Sequence, residues 1–129
     1  MKKRVAELVG AELDYAVAVA IGHVAEIGKY TESDSPVCRI KDWNKAGTLV
    51  NGSRFEPSID WAHGGTIIER ERISVECVAG YWFAGYFDQV GCSEGPTPLI
   101  AAMRAFVASR FGEEIEMPSP PTNEEPGRG

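Results

Sequence analysis

The apolar positions between Gly95 and Gly112, in GPTPLIAAMRAFVASRFG, recur at helical spacing. Leu99, Ile100, Met103, Phe106, Val107 and Phe111 form one wide stripe. Ala101, Ala102, Ala105 and Ala108 keep the remaining surface slim, so this helix can lie close against a sheet. Both of its ends are written in the sequence. Thr97 is placed to cap the N-terminus, Pro98 occupies the first helical position, where a missing N–H is harmless, and Gly112 follows the last apolar residue. An earlier stretch, Gly10 to Ile21, repeats Leu13, Ala16, Val17, Ala20 and Ile21 with the same period, and Gly22 is its stop. In that pattern Glu12 and Asp14 fall on the solvent side, and acidic residues suit a first turn.

From Ile73 the period changes to two. Ile73, Val75 and Cys77 alternate with Ser74 and Glu76, and Ala79-Gly80 reads as a hairpin turn. The returning strand puts Trp82, Ala84 and Tyr86 on one face and Tyr81, Phe83 and Phe87 on the other. Because both faces are apolar, this strand is expected at the centre of its sheet and covered on two sides. Thr66 and Glu69 form a T-x-x-E capping box around Ile67 and Ile68, which predicts a short helix from Thr66 to Arg72. Within 28–57 the turn signals Asp34-Ser35-Pro36, Lys45-Ala46-Gly47 and Asn51-Gly52-Ser53 bracket two expected short strands, Val37–Ile40 and Thr48–Val50. These make a hairpin at the sheet edge, with a long loop as the competing reading. Met1 to Val9 is a lead-in with a solvated basic start. After Gly112 the chain turns Pro/Glu-rich with little to bury, so disorder is expected over 113–129. The fold class that follows is a single α+β domain over 1–112, an antiparallel sheet packed by two main helices.

Length and composition change this picture little. The 129 residues suffice for one core, and 43% apolar with 25% charged residues are ordinary globular values. Of the net charge of −6, five Glu and one Arg put −4 in residues 113–129, leaving a nearly neutral body. A generic duplex-DNA binder carries a basic face, so nucleic acid is not an expected partner. The aromatic run Tyr81, Trp82, Phe83, Tyr86 and Phe87 could stack bases, but no basic residue interleaves it. No stretch approaches the roughly 18 apolar residues of a membrane span. Glu7, Glu12 and Asp14 interrupt what would be a signal-peptide core, so a cytoplasmic protein is expected. Cys38, Cys77 and Cys92 are odd in number and widely spaced, with only His23 and His63 beside them, so reduced thiols and no metal or cofactor are expected.

Candidate chemistry concentrates in Ser58, Asp60, Trp61, His63, Gly64, Gly65 and Thr66. Read as a ligand loop, the glycines let N–H groups approach an anion at a helix N-terminus, Trp61 offers a stacking face, and Asp60 or His63 fixes a polar group. The plain alternative is that Asp60 caps a turn, Trp61 anchors the core and the glycines serve a tight bend. Arg104 stands mid-helix among Ala, Met and Phe, where a guanidinium either pairs with a carboxylate, such as Glu69 or Asp60, or meets a ligand. A Ser58–Asp60–His63 triad is set aside because all three lie within six residues and there is no G-x-S-x-G elbow.

Three stretches carry a resemblance. Glu7 to Ala18 (ELVGAELDYAVA), Ser58 to Arg70 (SIDWAHGGTIIER) and Gly95 to Ala108 (GPTPLIAAMRAFVA) are, in this order and over about half the chain, similar to the NinX-like family of small bacteriophage proteins. The resemblance implies a phage or prophage origin and an α-β-α sandwich domain, and it supplies no catalytic residues. Where the family often has Pro after the Gly-Gly pair, this chain has Thr66. The expected function is that of a non-enzymatic phage accessory protein in the host cytoplasm, binding a small anionic or nucleotide-like ligand near Asp60–Thr66 and Arg104. The alternative is an adaptor that binds a host or phage protein through a sheet edge or apolar patch.

Overall fold

The helix that dominates the apolar pattern also dominates the structure, a computed structural model that describes residues 1–29, 35–41 and 54–118. In chain order the elements are β1 (Lys2–Arg4), a 3-10 turn (Val5–Glu7), α1 (Gly10–Ile21), β2 (Ala25–Gly28) and β3 (Val37–Ile40). They continue with α2 (Trp61–Glu71), β4 (Ile73–Val78), β5 (Tyr81–Tyr86), β6 (Ser93–Gly95), α3 (Pro98–Phe111) and β7 (Glu114–Glu116). The class is mixed α+β, and every strand pair among the described residues is antiparallel.

Helix α3 is capped as its sequence reads. The Ile100 N–H donates to Thr97 Oγ1 at 3.1 Å, Pro98 opens the helix, and the Gly112 N–H closes on the Ala108 carbonyl at 2.8 Å. One side of α3 packs on the sheet β4-β5-β6 and another on α1 and α2. Leu99, Met103, Phe106 and Val107 are buried, and so are Ala101, Ala102 and Ala105, whose small side chains let neighbours approach. Helix α1 ends at Gly22 in the left-handed conformation, as expected. It packs chiefly on α3 and on the β2–β3 hairpin, rather than directly on the three-stranded sheet.

The β4–β5 hairpin turns at Ala79 and Gly80, both at positive φ (53° and 87°), the pairing that matches the twist of two-residue hairpins. Strand β5 is central, as its pattern implies, and its Trp82–Ala84–Tyr86 face is the one that packs on the core. On the opposite face Tyr81 is exposed and Phe83 half-buried, and Phe87 just beyond the strand is fully exposed.

Four further expectations are corrected. The second helix begins at Trp61, five residues before Thr66, because the Asp60 carboxylate caps it by accepting the Ala62 N–H at 2.8 Å. Thr66 is therefore interior, and its hydroxyl donates back to the His63 carbonyl at 3.0 Å. Strand Val37–Ile40 pairs with Ala25–Gly28, a strand the periodicity does not reveal; Thr48–Val50 lies outside the described residues. The folded part does not stop at Gly112. Lys2, Lys3 and Arg4 pair with Glu116, Ile115 and Glu114, and Ile115 and Met117 are buried. Opposite charges on the two short strands explain a pairing with few apolar residues. Residues 119–129, expected to be disordered, lie outside the described residues. Finally, Asp14 faces inward and is 3% exposed.

Candidate functional site

The residues singled out between Ser58 and Thr66 form the entry to α2 rather than a loop. Pro57 and Ser58 are buried, and the Ser58 N–H donates to Asp14 Oδ1 at 2.8 Å, which ties this entry to α1. Burial pushes the Asp14 carboxyl up from 3.8 to about 7, against the pull of that hydrogen bond. The Ser58 hydroxyl has no partner of ordinary hydrogen-bond geometry among the described residues. Cys38 lies in the same interior. Burial pushes its thiol up to about 12, with the charges of Asp14 and Glu56 adding to the effect, so it is an inert side chain rather than a nucleophile.

Around His63 the geometry decides a tautomer. Its Nδ1 accepts the Glu56 N–H at 3.0 Å, so the ring proton of the neutral form sits on Nε2. Asp60 Oδ2, 3.9 Å from the same Nδ1, is then not a hydrogen-bonded partner, and its carboxylate serves the helix cap instead. The imidazole also stacks at a tilt on Phe55, with centroids 5.4 Å apart. Trp61 is 57% exposed, so it offers an open ring and does not anchor the core.

Gly64 and Gly65 are helix-interior residues with different environments. A Cβ at Gly64 would fall 2.4 Å from the Pro57 carbonyl oxygen and 2.7 Å from a Leu99 methyl. Gly64 is the point where α2 touches both its own entry and the first turn of α3, and only glycine fits there. At Gly65 a Cβ would meet Trp61 at 3.4 Å, an ordinary contact.

Arg104 does not join this group. Five residues along the helix from Leu99 is a rotation of about 140°, which turns it away from Gly64. Its Nε donates to the Leu8 carbonyl at 3.0 Å and its Nη1 to the Glu94 carbonyl at 2.7 Å, in place of the expected carboxylate partner. Burial pulls the guanidinium somewhat below its usual value, and the nearby Glu94 charge pulls it back up. Arg104 lines a cleft of about 770 Å³ between the N-terminal segment, the β5–β6 connection and the second half of α3. Arg4, Tyr86, Ser109, Glu94 and Glu113 share its walls, and none of Ser58 to Thr66 does. Along one wall the Tyr86 hydroxyl sits between Glu71 and Ser109, each at 3.3 Å, and Arg110 pairs with Glu71 at 2.9 Å. That cation is satisfied. Arg104, by contrast, makes no ion pair among the described residues, and only two of the five guanidinium N–H groups have protein acceptors there.

Sequence reasoning finds Arg104 but not its surroundings. Its acceptors are main-chain carbonyls of Leu8 and Glu94, which carry no residue-type signal, and the walls come from segments far apart in the chain. Among the described residues no group of His, Cys, Asp and Glu could hold a metal ion, and no helix is long and apolar enough to cross a membrane.

A mixed α+β domain with one long central helix and an arginine-lined cleft is the class these features define. The chain belongs to the family described as Bacteriophage P22, NinX, whose model matches residues 4–110. That span takes in α1, α2, the three-stranded sheet and nearly all of α3, and it carries a phage accessory role. No curated protein matches the chain.

Proposed function

We propose that this phage accessory protein works without catalysis, by binding a small anionic, nucleotide-like ligand in the cleft at Arg104. The observation that carries the reading is the state of that guanidinium. It is half-buried, held in place by two main-chain carbonyls, and left with N–H groups for which the described residues supply no acceptor. An arginine fixed in this way is preorganised for a carboxylate or phosphate, because its orientation does not have to be frozen on binding. Tyr86 adds an aromatic wall, and Arg4 a second cation at the rim. Glu94 and Glu113 balance the two arginines, which favours a ligand of low charge over a polyphosphate.

The host cytoplasm suits this role, since Cys77 and Cys92 are free, exposed thiols that a reducing compartment preserves. The reading moves the site away from Ser58–Thr66, and this separates its test into two arms. In a thermal-shift panel of inorganic phosphate and nucleotides, at least one member should stabilise the wild type, by about 2.7 kcal/mol at a hundredfold excess over Kd. Arg104→Lys should lose the shift, because a point charge cannot reproduce a fork held by two carbonyls. Trp61→Ala should keep it. No stabilisation by any member, or loss of the shift only in Trp61→Ala, overturns the proposal.

A further inference from the structure

The cleft at Arg104 has a second polar end, where the protons can be counted. Helix α3 contributes Arg104, Ala105, Ala108 and Ser109 to its walls. At about 100° per residue these four fan over about 140° of one helix face, with the two alanines between the arginine and the serine. Ser109 lies about 7.5 Å further along the axis than Arg104. The guanidinium leans the other way, toward the Leu8 and Glu94 carbonyls, as helix side chains lean toward the N-terminus, and this lengthens the span. Two alanines between two polar ends leave room for a flat ring.

At the far end the Tyr86 hydroxyl stands 3.3 Å from both Glu71 Oε1 and Ser109 Oγ. A phenol has one proton to give and lone pairs to receive. Glu71 is ion-paired with Arg110 at 2.9 Å, so its carboxylate only accepts, and Tyr86 donates to it. Ser109 also has a single proton, and the Phe106 carbonyl at 2.7 Å takes it in preference to the tyrosine oxygen at 3.3 Å. Among the described residues the lone pairs of Tyr86 are therefore unspent. Burial raises the ionisation of this phenol above its ordinary value, so it stays neutral at physiological pH. Tyr86 and Ser109 line the cleft, whereas Glu71 and Arg110 do not. The proton is thus committed outside the cleft, and the lone pairs remain for what enters it.

We propose, on the basis of the cleft reading above, that Tyr86 selects the ligand: a nucleoside monophosphate whose base turns an amino group rather than a carbonyl toward the tyrosine oxygen, while Arg104 holds the phosphate. An amino group donates to lone pairs that are waiting for it. A carbonyl sets oxygen against oxygen, unless Tyr86 gives up its bond to a charged carboxylate.

Titration calorimetry of the full chain with adenosine and inosine monophosphates, and with the cytidine and uridine pair, tests this. Each pair shares its phosphate and sugar and differs at the amino or oxo position of the base. The amino member should bind about tenfold tighter in both pairs, the difference between one hydrogen bond made and one left unmade. Tyr86→Phe keeps the ring, removes the oxygen and should bring each pair to within about twofold. Glu71→Gln offers an N–H donor to the tyrosine oxygen and releases the phenol proton, so it should narrow the preference as well. Oxo members that bind as tightly as amino members, or a preference that both variants keep, overturn the inference. Binding of inorganic phosphate that Arg104→Lys abolishes, with no amino preference among the nucleotides, removes this inference and leaves the cleft reading standing. No binding by phosphate or by any nucleotide removes both.

Discussion

Asp14 is the residue whose chemistry departs furthest from its sequence context. A heptad-style count puts it on the wet side of α1, yet the segment before α2 folds over it and donates the Ser58 N–H to its carboxylate. The alternation of apolar residues on one helix cannot report a cover that arrives forty-four residues later in the chain. Burial raises its ionisation to about 7, well above the 3.8 of an unfolded chain, so the folded state holds this proton more tightly. The resulting stabilisation is complete below about pH 4 and is lost as pH rises through 7; at about 1.4 kcal/mol per unit it amounts to something on the order of 4 kcal/mol. Thermal unfolding should therefore show stability declining from about pH 4 to about pH 7 and levelling off above that. Asp14→Asn keeps an oxygen for the Ser58 N–H and has no proton to lose, so its profile should be flatter over that range. An unchanged slope in the variant would assign the pH dependence to other groups.

At the scale of elements, capping chemistry was legible where it stood alone and ambiguous where two caps competed. Thr97-Pro98 and Gly112 bound α3 to the residue, and Gly22 stops α1 where the period ends. Around α2, both Asp60 and Thr66 can cap; the earlier one prevails because Pro57 and Ser58 are already buried and fix the chain direction at Asp60. The glycines that looked like a ligand loop are then a packing notch and a neutral position. Gly64→Ala forces a methyl against a carbonyl oxygen and should lower stability by about 2–3 kcal/mol. Gly65→Ala meets only the edge of Trp61 and should gain about 0.5–1 kcal/mol in helix propensity. Denaturant melts of the two variants should differ in sign, and similar losses in both would show that α2 does not approach Pro57 so closely. The hairpin offers a second check: Ala79 sits at φ 53°, where Asn is better tolerated, so Ala79→Asn should raise the melting temperature.

For the whole molecule, α3 is the element that most others touch: the sheet on one side, α1 and α2 on another, and the cleft along its second half. The apolar stripe and the alanines made that role readable, because wide hydrophobic coverage on a slim helix has only one use in a small domain. What the pattern missed is the closure of the chain ends. Lys2–Arg4 and Glu114–Glu116 are polar, charged and short, and each alone reads as solvated chain. Only their pairing, with Ile115 and Met117 turned inward, makes them part of the fold, and pairing between distant segments is what a local period cannot express. The clasp also matters for the site, because Arg4 and Glu113, on either side of that ladder, both line the cleft. A chain ending at Pro118 keeps the clasp, whereas one ending at Gly112 exposes the core positions that Ile115 and Met117 cover. Each of those side chains contributes about 1.5–3 kcal/mol by burial, so the shorter chain should lose about 3–6 kcal/mol and melt many degrees lower. It should also lose any ligand shift that the longer chain retains. Equal melting of the two truncations would place the boundary of the folded unit back at Gly112 and remove the clasp from both roles.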